Sequence, residues 1–111
     1  QENLNKMSRV EEIKKMLKSD PSDSFLSYAL ALEHEKDGDI KTAIKIIEQL
    51  IISDPEYLGA YYKLGQLFEI NNKPEKAIAI YTKGIGLASE KNDNKTKGEL
   101  EEALWLIEEE N

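Results

Sequence analysis

The sequence predicts an all-α fold of stacked helical hairpins, because it repeats at a fixed step and has a helical period within each step. Asp20-Pro21 recurs 34 residues later as Asp54-Pro55. The same step pairs further residues, most of them apolar: Tyr28 with Tyr62, Leu30 with Leu64, Glu35 with Glu69, Ala43 with Ala77, Ile44 with Ile78, Ile46 with Ile80 and Ile51 with Ile85. Repeats of this length are typical of helical hairpins that stack to bury a shared core.

The first two helices are predicted at about 8–18 and 23–36. The first begins at the capping box Ser8-x-x-Glu11, and its apolar residues form one stripe: Val10, Ile13, Met16 and Leu17. Asp20-Pro21 ends it, and Ser22 or Asp23 can cap the second helix. The segment from Phe25 to Leu32 is apolar nearly all round, which is typical of a helix that lies between two neighbours.

The third, fourth and fifth helices are predicted at about 40–53, 57–71 and 74–89. The third and fifth have one-sided apolar patterns at equivalent positions: Ala43, Ile44, Ile46, Ile47, Leu50 and Ile51, then Ala77, Ile78, Ile80, Tyr81, Gly84 and Ile85. Asp37-Gly38-Asp39 supplies a left-handed helix stop followed by an N-cap. Asn71-Asn72 is the corresponding stop in the second unit, and Pro74 falls in a first helical turn, where proline is tolerated.

The sixth helix is predicted at about 96–110, after an insertion around Lys91 to Lys95. Thr96-x-x-Glu99 reads as its capping box, and its inward stripe is Leu100, Ala103, Leu104 and Ile107. Glutamates dominate its other face, which suits the polar helix that closes a stack; an acidic docking site is the alternative. No strand pattern or long linker divides the chain, so one domain over 1–111 is expected.

Residues 58–91 resemble the tetratricopeptide repeat, whose pattern is W-x2-L-G-x2-Y, then A-x3-F, then P. The matching residues are Tyr61 in place of Trp, then Leu64, Gly65, Phe68, Ala77 and Tyr81, while Ser89 replaces the closing Pro. Residues 24–57 match less fully, through Leu30, Ala31, Ala43 and Pro55. The resemblance implies a right-handed α-solenoid with two full units, 24–57 and 58–91, capping helices at both ends, and residues 1–7 as a flexible tail.

The resemblance also implies a binding face, because in this family the first helix of each repeat lines the concave side. The residues placed there are Phe25, Tyr28, Leu32 and Glu35 from one unit, Tyr62, Gln66 and Glu69 from the next, and Tyr57 at the turn between them. Tyr28 and Tyr62 are expected side by side, as anchors for a peptide or helix of a protein partner. Glu35 and Glu69 would form an acidic edge. Packing of Tyr28 and Leu32 against neighbouring helices is the alternative.

Self-association is a second hypothesis: a homodimer through the same aromatic groove or through the helix around Trp105. The run from Ala103 to Ile107 is apolar over more than one helix face. Family members that grip acidic chaperone tails use Lys, Asn and Arg on the concave face. Only Lys36 is of this type at the equivalent positions here, so that ligand is disfavoured.

Composition argues against several other function classes. The net charge is −7, with Lys and Arg scattered, so neither nucleic acid nor an anionic membrane is an expected partner. With no cysteine and His34 as the single histidine, we expect no catalytic triad, no zinc site, no cofactor and no enzymatic activity. No apolar run approaches the roughly 20 residues that span a bilayer. The cytoplasm is therefore the expected compartment.

Overall fold

The computed structural model describes residues 8–110, which form six α-helices and contain no strand. The helices are α1 (Arg9–Ser19), α2 (Ser24–Lys36), α3 (Ile40–Ser53), α4 (Leu58–Ile70), α5 (Pro74–Glu90) and α6 (Asn94–Glu110). The predicted all-α class is confirmed for this part of the chain. The flexible tail expected at 1–7 lies outside the described residues.

Side-chain caps determine where the first three helices begin. Ser8 and Glu11 form the reciprocal capping box that the sequence predicts for α1. Asp23, and not Ser22, caps α2, and Asp39 caps α3; each carboxylate accepts a hydrogen bond from the backbone N–H three residues later. These bonds satisfy N–H groups that have no partner within the helix.

The start of α6 differs from the prediction. The helix begins at Asn94, two residues earlier than expected, and Asp93 is the residue that caps it. The Asp93 carboxylate accepts from the backbone N–H of Thr96 at 3.0 Å and from its hydroxyl at 2.8 Å. The predicted capping box from Thr96 to Glu99 is therefore wrong, because Thr96 already lies inside the first helical turn.

The predicted insertion around Lys91 to Lys95 is not a loop. α5 has 17 residues and its counterpart α3 has 14, so the extra residues lengthen the helix, and the turn to α6 takes only residues 91–93. Asn92 closes this turn at φ 57°, as Gly38 at φ 84° and Asn72 at φ 59° do after α2 and α4. Gly and Asn are the residues that adopt this left-handed conformation most readily.

Each helix packs mainly against its neighbours along the chain, which gives an elongated stack of 50 × 29 × 21 Å. Small residues occupy the centre of the packing: Ala31, Ala43, Ala60, Ala77 and Ala88 are at most 1% exposed. Small side chains let neighbouring helix axes approach at the short end of the usual range of about 8–10 Å. The buried side chain of Ile13 packs α1 against this stack, and those of Leu100 and Ile107 pack α6 against it.

Two of the caps make stability depend on pH. Hydrogen bonds from Thr42 hold the pKa of Asp39 below its ordinary value, and those from Thr96 do the same for Asp93. A folded-state pKa below the unfolded one gives stability that is present above about pH 4 and lost as pH falls through the folded pKa.

We therefore expect the double variant Asp39→Asn/Asp93→Asn to melt below the wild type at neutral pH, with a gap that closes under acid. Asparagine caps helices well but does not titrate in this range, so it removes the charge while keeping the hydrogen-bond acceptor. Thermal melts followed by circular dichroism across the acid range measure the gap in Tm. A gap of constant size would show that the two caps are not linked to proton binding.

Candidate functional site

The residues predicted to bind a partner lie along α2 and α4, at spacings that place them on one side of each helix, and Tyr57 lies in the turn just before α4. We refer to them as the first-helix face: Phe25, Tyr28, Leu32, Glu35, Tyr57, Tyr62, Gln66 and Glu69. Those on α2 follow the spacing i, i+3, i+7, i+10, and those on α4 follow i, i+4, i+7. The structure divides this face into an aromatic part and a polar part.

The aromatic part begins with the exposed ring of Phe25, which is 66% accessible. Three residues later on the same side of α2 lies Tyr28, whose half-buried ring packs against that of Tyr57 at 5.6 Å between centroids with a 42° tilt. Burial, followed by the charge of Glu35, raises the pKa of Tyr28, and burial raises the pKa of Tyr57. Both phenols are therefore neutral at physiological pH and can donate a hydrogen bond beside an apolar surface.

Tyr62 packs against a different ring, that of Tyr81 on α5, at 6.2 Å between centroids. Among the ring contacts of the described residues, Tyr28 and Tyr62 do not pair with one another, although the sequence led us to expect them side by side. The reason is local: Tyr57 at the turn occupies the space beside Tyr28.

The polar part of the face contains an ion pair that links the two repeats. The Lys63 ammonium on α4 lies 2.9 Å from the Glu35 carboxylate on α2, and their side chains are only 16% and 25% exposed. Glu35 is thus neutralised in place, and the acidic edge expected from the sequence is reduced to Glu69. The residue one repeat step before Lys63 is Ala29, so comparing the two repeats does not indicate that Lys63 pairs with Glu35.

Glu69 has a structural contact of its own. Its carboxylate accepts a hydrogen bond of 2.6 Å from the hydroxyl of the buried Tyr81. Burial, and then this hydrogen bond, raise the pKa of Tyr81. Glu69 remains exposed and lines a hollow together with Glu35, Lys63, Gln66 and Ile70. The carboxylate can therefore accept a further hydrogen bond from a ligand.

A second concavity, absent from the sequence-based hypotheses, lies between the second helices of the two repeats, α3 and α5. We call it the second-helix groove; its volume is about 470 Å³ and its apolar lining is Ile51, Ile52, Leu64, Phe68, Ala79 and Ile80. A smaller hollow adjoins it and shares Glu48, Phe68 and Lys76. The helical spacing of Lys76, Ile80 and Lys83 is the sequence signal that could have revealed this groove.

The described residues offer few side chains that could act in catalysis or bind a metal ion. The ring of His34 is half-buried, and its Nδ1 lies 3.6 Å from a carboxylate oxygen of Asp39. Within residues 8–110, no group of three or more His, Asp or Glu side chains is placed to hold a metal ion. None of the described helices combines the length and apolar character needed to cross a membrane.

Comparison with known proteins agrees with this architecture. A family model for the tetratricopeptide repeat matches residues 58–91, the second predicted unit. The chain is 40% identical to a tetratricopeptide repeat domain protein of Salinibacter ruber, over 78% of this chain and 96% of that one, with a TM-score of 0.73. The chain belongs to the tetratricopeptide repeat family.

Other solved structures share the fold at lower identity. The TPR2B domain of yeast Sti1, solved as a complex with pHsp70, is 18% identical, with a TM-score of 0.84 over 92% of this chain and 82% of that one. SycD, a type III secretion translocator chaperone of Yersinia enterocolitica, is 13% identical, with a TM-score of 0.81 over 91% of this chain and 70% of that one. No curated protein matches the chain in sequence.

Proposed function

We propose that this tetratricopeptide repeat protein is a non-catalytic adaptor that binds a peptide or helix of a protein partner on its first-helix face. The observation that carries the proposal is an exposed aromatic ring, Phe25, on the same helix side as the half-buried Tyr28. Rings with polar tips beside an exposed apolar anchor are typical of protein interfaces. Ile70, 55% exposed, adds an apolar contact next to the polar hollow.

The charges on this face indicate what the ligand carries. Lys63 pairs with Glu35 and is not free to bind an acidic peptide tail, which leaves the exposed Lys36, at the end of α2, as the cation that the sequence places on this side. Glu69 and Gln66 offer hydrogen-bond acceptors at the polar hollow. A ligand with one or two apolar anchors followed by a Lys, Arg or amide group therefore fits best. The Sti1 domain in complex with pHsp70 and the chaperone SycD support a protein ligand on this fold.

The test is a loss of affinity in the double variant Tyr28→Ala/Tyr62→Ala. Peptides selected from a random display library on the wild-type protein serve as ligands, and calorimetry measures each Kd. Truncating interface tyrosines costs about 2 kcal/mol or more, which is roughly a thirtyfold loss of affinity. Phe25→Ala is expected to weaken the binding of the same peptides.

Two controls separate binding from folding. Tyr28→Phe/Tyr62→Phe keeps both rings and their packing, so it should retain most of the affinity. Trp105→Ala changes a residue on α6, away from this face, and should leave the peptide Kd unchanged. If the alanine double variant stays helical by circular dichroism and still binds the selected peptides at wild-type affinity, the first-helix face is not the binding site.

A further inference from the structure

The second-helix groove is unusual in its charge. The five lysines that line it and the adjoining hollow are Lys41, Lys45, Lys73, Lys76 and Lys83, whereas Glu48 is the single acidic residue in that lining. All five lysines are exposed, and none makes an ion pair within residues 8–110. Lys76 lies over the Phe68 ring, 5.7 Å from its centroid. An apolar groove with a basic rim thus occurs in a chain whose net charge is −7.

The outer side of α6 has the opposite character. Trp105 is 57% exposed there, and the four residues three and four positions before and after it are all exposed glutamates: Glu101, Glu102, Glu108 and Glu109. Residues at these spacings surround a position on a helix surface. The next residue, Leu106, is 51% exposed. The helix therefore presents an apolar side chain enclosed by carboxylates.

These two surfaces complement each other in apolar character and in charge. An indole ring that protrudes from α6 matches an open apolar groove, and the surrounding glutamates match the lysines on the groove rim. The surfaces cannot meet within one molecule. Leu100 and Ile107 bury the inner side of α6 in the stack, so its outer side faces away from the protein.

We propose that α6 of one molecule docks in the second-helix groove of a second copy, with Trp105 as the central anchor. The contact joins two different surfaces, so it is heterologous: it leaves a free groove and a free α6 unless the assembly closes. Association places four glutamates near a lysine-rich rim and is therefore expected to weaken with salt. This interface uses a different surface from the first-helix face and does not depend on the proposed peptide binding.

The first measurement is molar mass by light scattering over a concentration series. We expect the wild type to exceed the monomer mass as concentration rises, and to return towards it at high salt. Trp105→Ala, which removes the anchor, and Lys76→Glu/Lys83→Glu, which reverses the rim, are expected to weaken association roughly thirtyfold or more. A wild type that is monomeric throughout the series overturns the proposal.

Mixing the two variants is the decisive experiment. The Trp105→Ala protein keeps an intact groove, and the Lys76→Glu/Lys83→Glu protein keeps an intact α6. Each is expected to be monomeric alone, but their mixture is expected to form a one-to-one dimer through the single intact contact. A mixture that stays monomeric overturns the proposal, and so does association that survives in either variant alone.

All three substituted side chains are exposed, so the variants are expected to fold; circular dichroism checks this. Ile52→Glu, at a groove residue that is 73% exposed, provides a second groove variant for the same mixing experiment. Peptide affinity at the first-helix face, measured in the Trp105→Ala protein, separates the two proposals. The Trp105→Ala protein is expected to keep its peptide affinity and to lose self-association. Self-association that persists in this variant counts against the groove contact and leaves the peptide-binding proposal unaffected.

Discussion

Gly65→Ala is expected to destabilise the protein by about 3 kcal/mol, although glycine-to-alanine changes usually stabilise a helix. A Cβ added at Gly65 would lie 2.0 Å from Cε1 of Tyr81, and its three nearest atoms all belong to that ring. Atoms cannot approach so closely, so either the ring or the helix must move. Tyr81 is fully buried and its hydroxyl is bound to Glu69, which leaves the ring no free direction. Relief therefore requires α4 and α5 to separate.

Gly86 offers the matched control for this prediction. It also lies in a helix, α5, but it is exposed and a Cβ there would meet nothing within 4 Å. Gly86→Ala is therefore expected to stabilise by up to about 1 kcal/mol through helix propensity alone. Urea unfolding of both variants measures the difference. Midpoint shifts of the same sign in the two variants would contradict close contact at Gly65.

The helices could be predicted because local and periodic rules agree along most of the chain. The apolar stripe around Ala77 identifies the buried side of a helix. Gly38 and Asn72 mark helix ends, because the left-handed backbone conformation that ends a helix there depends on the local sequence alone. The start of α6 was missed because Asp93 and Thr96 are both good caps. The choice between them depends on where α5 ends, and its three additional residues are not visible in a repeat pattern.

The candidate site was harder to predict for a related reason. The internal alignment compares each residue with its equivalent one repeat later, as Tyr28 with Tyr62. The contacts that shape the face join non-equivalent positions instead, such as Glu35 with Lys63 and Tyr28 with Tyr57. Such pairs depend on how the helices cross, which a single sequence does not specify. The second-helix groove was not predicted because its lining comes from three helices, α3, α4 and α5, whose packing a single sequence does not specify.

The second large effect is expected at Ile47 of α3, which is fully buried in the main cluster of core side chains. Truncating a buried isoleucine to alanine costs about 2–5 kcal/mol, since the transfer free energy is lost and a cavity remains. Ile13 of α1 provides an informative comparison. It is 1% exposed, but it lies outside the main cluster and α1 packs against α2 alone among the major helix contacts.

The same substitution is therefore expected to act globally at Ile47 and locally at Ile13. In a stack, each helix is stabilised mainly by its nearest neighbours, so weakening a terminal helix opens that helix first. Ile47→Ala should lower the urea midpoint of the whole protein and speed amide hydrogen exchange in α2, α3 and α4. Ile13→Ala should speed exchange mainly in α1, with a smaller change in the midpoint. Equal loss of protection throughout the protein in both variants would show that α1 unfolds together with the rest of the stack, because a separable terminal helix cannot transmit its loss to α5 and α6.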